Sequence, residues 1–177
     1  MAVSYDAGQM LISLGESLPY IYRMVTGAAY VIGIGFAVAG LYHLKVYGEL
    51  RTMMSSQTGL KQPVAYLFVA AIFIFIPTGF GMVMNSTFGY ENVLSYQQWP
   101  TRSGYPISRE AIIVLQIIQL IGILSFIRGW ILIQRSTSQQ QQGGFGKGLT
   151  HVVAGVFAAN IVGTAVILSN TLGIRFF

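Results

Sequence analysis

Few residues in this sequence are equipped for chemistry. His43 and His151 supply all of its imidazoles, and the absence of cysteine rules out disulfides, thiolate metal sites and thiol nucleophiles. Each histidine stands near one end of a long apolar run, without a second ligand at metal spacing on the same helix. Such a pattern points to structural, interface-facing histidines rather than a metal centre. No acidic residue falls inside any apolar run, whereas a proton-coupled carrier needs an ionisable relay within the membrane. The patterns GxGxxG, Walker A, GxSxG and HExxH are also missing, which argues against a nucleotide or hydrolase site. The expectation is a protein that is not an enzyme and needs no cofactor or metal.

The polar residues that do interrupt apolar runs read as helix glue. Gln116 and Gln119 lie three apart on one helical face, where each can hydrogen-bond to another helix. Arg128 stands about a turn and a half from the end of its run, so its stem can carry the guanidinium to the interface; an intersubunit contact and a pore-facing charge are the other readings. Gly155, Ala159 and Gly163 recur at every fourth position with Asn160 and Thr164 beside them, and Ala29, Gly33 and Ala37 repeat the spacing earlier. These small-residue stripes let helices approach closely, within one subunit or between subunits. The candidate packing positions are therefore Gly33, Gly40, Gln116, Gln119, Arg128, Gly155, Ala159, Asn160 and Gly163.

The elements that position these residues follow from composition. Hydrophobic residues make up 54% of the 177 and charged residues only 8%, with a mean hydropathy of +0.63; soluble domains carry about 25% charged residues. The chain reads as one integral membrane domain over residues 1–177. Four runs reach the roughly 20 residues that a helical span requires: Val25 to Leu44, Val64 to Asn85, Ala111 to Ile133 and Val152 to Ile174. Helices are favoured because backbone groups in hydrocarbon must be bonded within the segment. Pro77, with Gly79 and Gly81 following, is expected to kink the second span.

These four runs repeat in pairs. Ile32, Gly33, Ile34 and Gly40 recur as Ile121, Gly122, Ile123 and Gly129, an offset of 89. Beyond the connecting loop, Gly59, Leu60, Val64, Ala65, Phe68, Ala70 and Ile72 recur as Gly148, Leu149, Val153, Ala154, Phe157, Ala159 and Ile161 at the same offset. The unit of architecture is thus a helical hairpin used twice, over 25–85 and 111–174. The copies differ at two notable places: Pro77 corresponds to Val166, and Ala39 to Arg128.

Charge orients the hairpins. Lys45, Arg51 and Lys61 face only Glu49 in the first connecting loop, and Arg135 and Lys147 face no acid in the second. The loop between the hairpins and the amino-terminal segment are more nearly balanced. The positive-inside rule places both basic loops in the cytoplasm and both termini outside, which makes the repeat parallel. Residues 1–24 lack the basic start of a signal peptide. Met10, Leu11, Leu14, Leu18 and Ile21 instead follow helical spacing opposite Ser13, Glu16 and Ser17. They suggest an amphipathic interfacial helix on the outer surface, bent or ended by Pro19, against the alternative of a disordered tail. The outer loop, 86–110, carries Tyr90, Tyr96, Trp99 and Tyr105, which either anchor the chain at headgroup level or dock a neighbouring subunit. Asn85, Ser86 and Thr87 form a sequon that matters only in a eukaryotic lumen. The Gln- and Gly-rich stretch 136–148 reads as a solvated connector.

The run from Ser17 to Gly33, which includes Ser17-Leu18-Pro19-Tyr20 and Thr26-Gly27-Ala28-Ala29-Tyr30, resembles the entry to the first span of the IcmC/DotE group of type IVB secretion proteins. That group is related to the similar DotV and to TraQ of conjugative plasmids. Pro63-Val64-Ala65-Tyr66-Leu67 and Asn85-Ser86-Thr87-Phe88-Gly89 resemble it as well, as do the length and the four-span plan. The resemblance implies a structural inner-membrane component of a Dot/Icm-like apparatus, which exports effector proteins or conjugative DNA complexes from Gram-negative bacteria. It brings no catalytic residues. The implied partners are other membrane subunits, such as a DotA-like protein, together with further copies and the bilayer; no nucleic-acid site is evident. The hairpin plan leaves two other readings open, a pilin-like hairpin protein retained in the membrane and a small solute channel or transporter.

Overall fold

The computed structural model describes residues 7–52, 59–89, 109–138 and 144–173, and all of its elements are helices. They run α1 (Ala7–Thr52), α2 (Lys61–Ile74), α3 (Ile76–Phe88), α4 (Arg109–Ser138), α5 (Gly144–Ala159) and α6 (Ile161–Leu172). Helix α1 pairs with α2 and α4 with α5, and α4 joins the two hairpins by packing on both α1 and α2. Two helices, α1 and α4, are each long and apolar enough to cross a membrane; the count reaches four if each of the pairs α2–α3 and α5–α6 makes one span.

The amino-terminal amphipathic segment and the first span prove to be a single helix of 46 residues. Its inward residues explain the continuity: Leu11, Gly15, Leu18, Tyr22, Val25, Ala29, Gly33, Phe36, Gly40 and His43 are all buried or half-buried, at steps of three or four. That stripe crosses Pro19 without interruption. Proline withdraws one backbone donor, but Leu18 is buried beside it and Gly15 faces the Ile113 side chain of α4, so tertiary packing holds both adjoining turns. At 1.5 Å per residue α1 is about 69 Å long, more than twice a hydrocarbon core of about 30 Å.

The second and fourth expected spans are each broken. Helices α2 and α3 meet at a bend of 81°, and α5 and α6 at one of 94°. The first break falls at Phe75 (φ −98°, ψ 17°), two residues before Pro77, whose missing N–H interrupts the helical bonding at that point. The second falls at Asn160 (φ −134°, ψ 65°), where the chain has no proline at all. Before these breaks α2 extends only about 21 Å and α5 about 24 Å, so neither crosses alone.

The offset of 89 carries into the packing with one change of register. At the offset of 89, Gly33 corresponds to Gly122 and both face the second arm of their hairpin, but Gly33 lies against Phe73 and Ile74 whereas Gly122 lies against Ala158 and Ala159. Phe73 would correspond to Val162, one helical turn further on. Gly40 meets Leu67 and Gly129 meets Val152, again one turn short of the equivalent Val156. The breaks shift by the same turn, since Phe75 would correspond to Thr164 rather than Asn160. Side-chain size accounts for it. Gly155 occupies the place of Tyr66, whose ring lies against Phe36 and His43 and holds α2 away from that register.

Candidate functional site

The closest packing joins α4 to α5. A Cβ on Gly122 would fall on the Ala159 backbone nitrogen and lie 2.8 Å from the Ala158 carbonyl carbon, and one on Gly155 would lie 2.6 Å from Phe126 N and 2.7 Å from Gly122 O. Backbone therefore meets backbone, and neither position has room for a side chain. Beside this weld the Ser125 hydroxyl donates to the His151 carbonyl at 3.2 Å and lies 3.4 Å from His151 Nδ1. In the first hairpin the histidine stands on the other arm, on α1, with the His43 ring 4.9 Å from that of Tyr66 on α2. Both imidazoles thus tie together the arms of their own hairpins, and among the described residues no three His, Cys, Asp or Glu cluster in a metal-binding arrangement.

Between the hairpins, Val69, Phe73, Phe80 and Met84 pack with Ile123, Phe126, Ile127, Val156 and Ala159. Phe80 and Phe126 meet edge to face at 5.2 Å, a favourable arrangement of ring quadrupoles. Polar atoms enter this interior along α4. Gln119 is 1% exposed and Gln134 3%, and Gln119 Oε1, Trp130 Nε1 and Gln134 Nε2 are buried without a partner among the described residues. Spacings of 11 and 4 put all three on one face of α4. Gln119 thus faces inward as expected, but its carbonyl oxygen bonds to no other helix; Gln116 is half-buried. A buried acceptor left unmade costs about 1–3 kcal/mol. Gln119→Leu is accordingly expected to raise stability by about that amount, read as the denaturation midpoint in detergent micelles. A lowered midpoint would show that the amide serves the fold.

Asn160 and Thr164 serve the break between α5 and α6. Asn160 is 1% exposed, and its Oδ1 accepts the Gly163 N–H at 3.0 Å, the N-cap of α6. The Thr164 hydroxyl reaches both Phe157 O at 2.9 Å and Asn160 O at 2.8 Å, on the other side of the break. The two side chains satisfy backbone groups that the bend exposes, as buried backbone polar groups require. Gly163 makes the turn tight, since a Cβ there would lie 2.7 Å from Phe88 Cδ1 of α3. Compared with family models, curated proteins and solved structures, the chain finds no match.

Gly33, Gly40, Gly155, Ala159 and Gly163 are all buried, and the glycines among them lie against neighbouring helices of the same chain. Their packing is intramolecular. Arg128 stands apart from them on the exposed side of α4. Tyr90, Tyr96, Trp99 and Tyr105 lie outside the described residues. Sequence reasoning had singled out Gly122 and Gly129 only as marks of the repeat, although their equivalence to Gly33 and Gly40 was the signal of a packing role. Gln134 and Trp130 were missed. Their placement on the Gln119 face was the available clue.

Proposed function

We propose that this chain is a structural inner-membrane subunit of a type IVB, Dot/Icm-like secretion or conjugation apparatus, and that it contributes to assembly of the translocation channel. Its work is architectural, with no chemical step. Support comes from the resemblance of residues 17–33, 63–67 and 85–89, and above all from the way contacts divide over the protomer. The small-residue positions are consumed in welding each hairpin, while α1 keeps an apolar outer face from Tyr20 and Met24 through Val31, Ile34 and Val38 to Leu41 and Tyr42, every one of these residues more than a third exposed. A rigid scaffold with one long apolar flank suits insertion among other membrane helices. A DotA-like subunit or further copies of the chain are the partners this reading implies.

A small solute channel or transporter is the second reading. It is favoured by the paired breaks, because interrupted helices at corresponding places of two repeats are where transporters form substrate sites. Isolation of the full chain from a bacterium carrying such an apparatus is expected to bring other secretion membrane subunits with it. Solute flux through the purified chain alone, without such partners, would favour the transporter. For topology, reporter fusions are expected to place Gln140 in the cytoplasm and Tyr96 in the periplasm. A cytoplasmic Tyr96 would instead make α2–α3 a re-entrant pair and reverse the four-span plan.

A further inference from the structure

We infer that the outer face of α4 binds an anionic phospholipid, with Arg128 holding its phosphate. Val114, Ile121, Arg128 and Arg135 are spaced by seven, two helical turns, and so form one outward column along α4. Val114, Ile121 and Leu124 are 45%, 58% and 46% exposed, and both arginines are exposed. The column is therefore apolar along its first half and basic along its second. It has the polarity of a lipid lying against the helix, acyl chain on Ile121 and Leu124 and headgroup at Arg128.

Depth strengthens the assignment. Arg128 lies about 7–8 Å along the axis before the apolar run ends at Ile133, and it has no hydrogen-bond or ion-pair partner among the described residues. Each helical Cα–Cβ bond tilts toward the N-terminus, which here is away from the polar end of α4 marked by Gln134 and Arg135. The side chain sets out toward hydrocarbon and must double back to reach water. A phosphate drawn down beside α4 meets the guanidinium with two parallel hydrogen bonds and removes the need for that excursion.

The other conceivable counter-ion is a carboxylate on a neighbouring helix. A second copy cannot supply one at this depth, because none of the five acidic residues falls in an apolar run. A foreign helix would have to bring its own costly charge into the membrane. The first hairpin lacks the feature, with Ala39 and Val46 at the equivalent places. The inference rests on α4 crossing the membrane and is independent of the secretion reading, so either can fail without the other.

The test uses the full chain purified in a zwitterionic detergent, with phosphatidylglycerol and phosphatidylcholine of matched acyl chains as probes and retained lipid read by native mass spectrometry. Phosphatidylglycerol is expected to be retained about fivefold to tenfold better than phosphatidylcholine. Arg128→Gln is expected to abolish that preference, Arg128→Lys to preserve most of it, and Lys45→Gln, which removes a charge from the exposed pair with Glu49 on α1, to leave it unchanged. Equal retention of the two lipids by the wild type overturns the inference, and that comparison decides the matter even if Arg128→Gln does not fold. An undiminished preference in a folded Arg128→Gln protein, or an equal loss in Lys45→Gln, overturns it as well.

Discussion

Replacing Gly122 by leucine is expected to separate α4 from α5 and to lower stability by at least about 3 kcal/mol, at or beyond the upper end of ordinary overpacking. The reason is what a side chain would meet. The obstacles at Gly122 are the nitrogen and Cα of Ala159 and the carbonyl carbon of Ala158, and backbone atoms cannot rotate aside as a side chain does. Gly122→Ala already places its methyl there and should lose about 1–3 kcal/mol. Opening the hairpin would also remove Val156 and Ala159 from the shared core. Denaturation midpoints in detergent micelles measure the effect. Gly35→Leu is the control, because a Cβ at Gly35 meets nothing within 4 Å. A wild-type midpoint for Gly122→Leu, or an equal loss in Gly35→Leu, would refute the weld.

Asn160→Leu is expected to straighten the α5–α6 bend of 94° into one continuous helix. The asparagine supplies the acceptor that lets the Gly163 N–H leave the helical pattern. Leucine offers no acceptor and favours helix, and loss of such a cap costs about 0.5–2 kcal/mol. Gly163 N–H would then be satisfied by the carbonyl of Ala159, as in an unbroken helix. The chain has no native cysteine, so spin labels at Thr150→Cys and Asn170→Cys report the geometry cleanly. With ten residues on each side of Asn160, the bend corresponds to about 20 Å between backbone positions and a straight helix to about 30 Å. The shorter distance in the leucine variant would mean that packing of α6 against Phe88, rather than the cap, sustains the break.

The two bends also mark what could be read from residue order. Pro77 announced an interruption of the second arm, and the bend lies two residues before it. The fourth arm gave no such notice. Its equivalent residue is Val166, and Asn160 looked like glue between helices because an amide can bond a neighbouring helix or cap its own. The cap forms where the Asn160 backbone leaves the helical region, at φ −134° and ψ 65°, a dihedral pair that no residue type announces. Conservation of a bend by two different devices is thus visible only in three dimensions. The divergence at Val166 does not straighten the second copy.

Residue order by itself determined that the chain is helical and apolar enough to enter a membrane, and it laid out two hairpin-forming stretches at a constant offset. Each of these follows from local quantities: hydrophobic content over about 20 residues, the need to bond every backbone group, and an unchanged offset of 89. The inward stripe of α1 was present too, from Leu11 to His43, although Pro19 concealed that it belongs to one helix. Tertiary structure decided the rest. It set the second hairpin one turn out of register, because Gly155 admits the α4 backbone where Tyr66 excludes α1. It assigned the small residues to contacts within the chain and left Arg128 outside. Both outcomes depend on the separation of two helices, a distance set jointly by residues on both arms that no local pattern of spacing records.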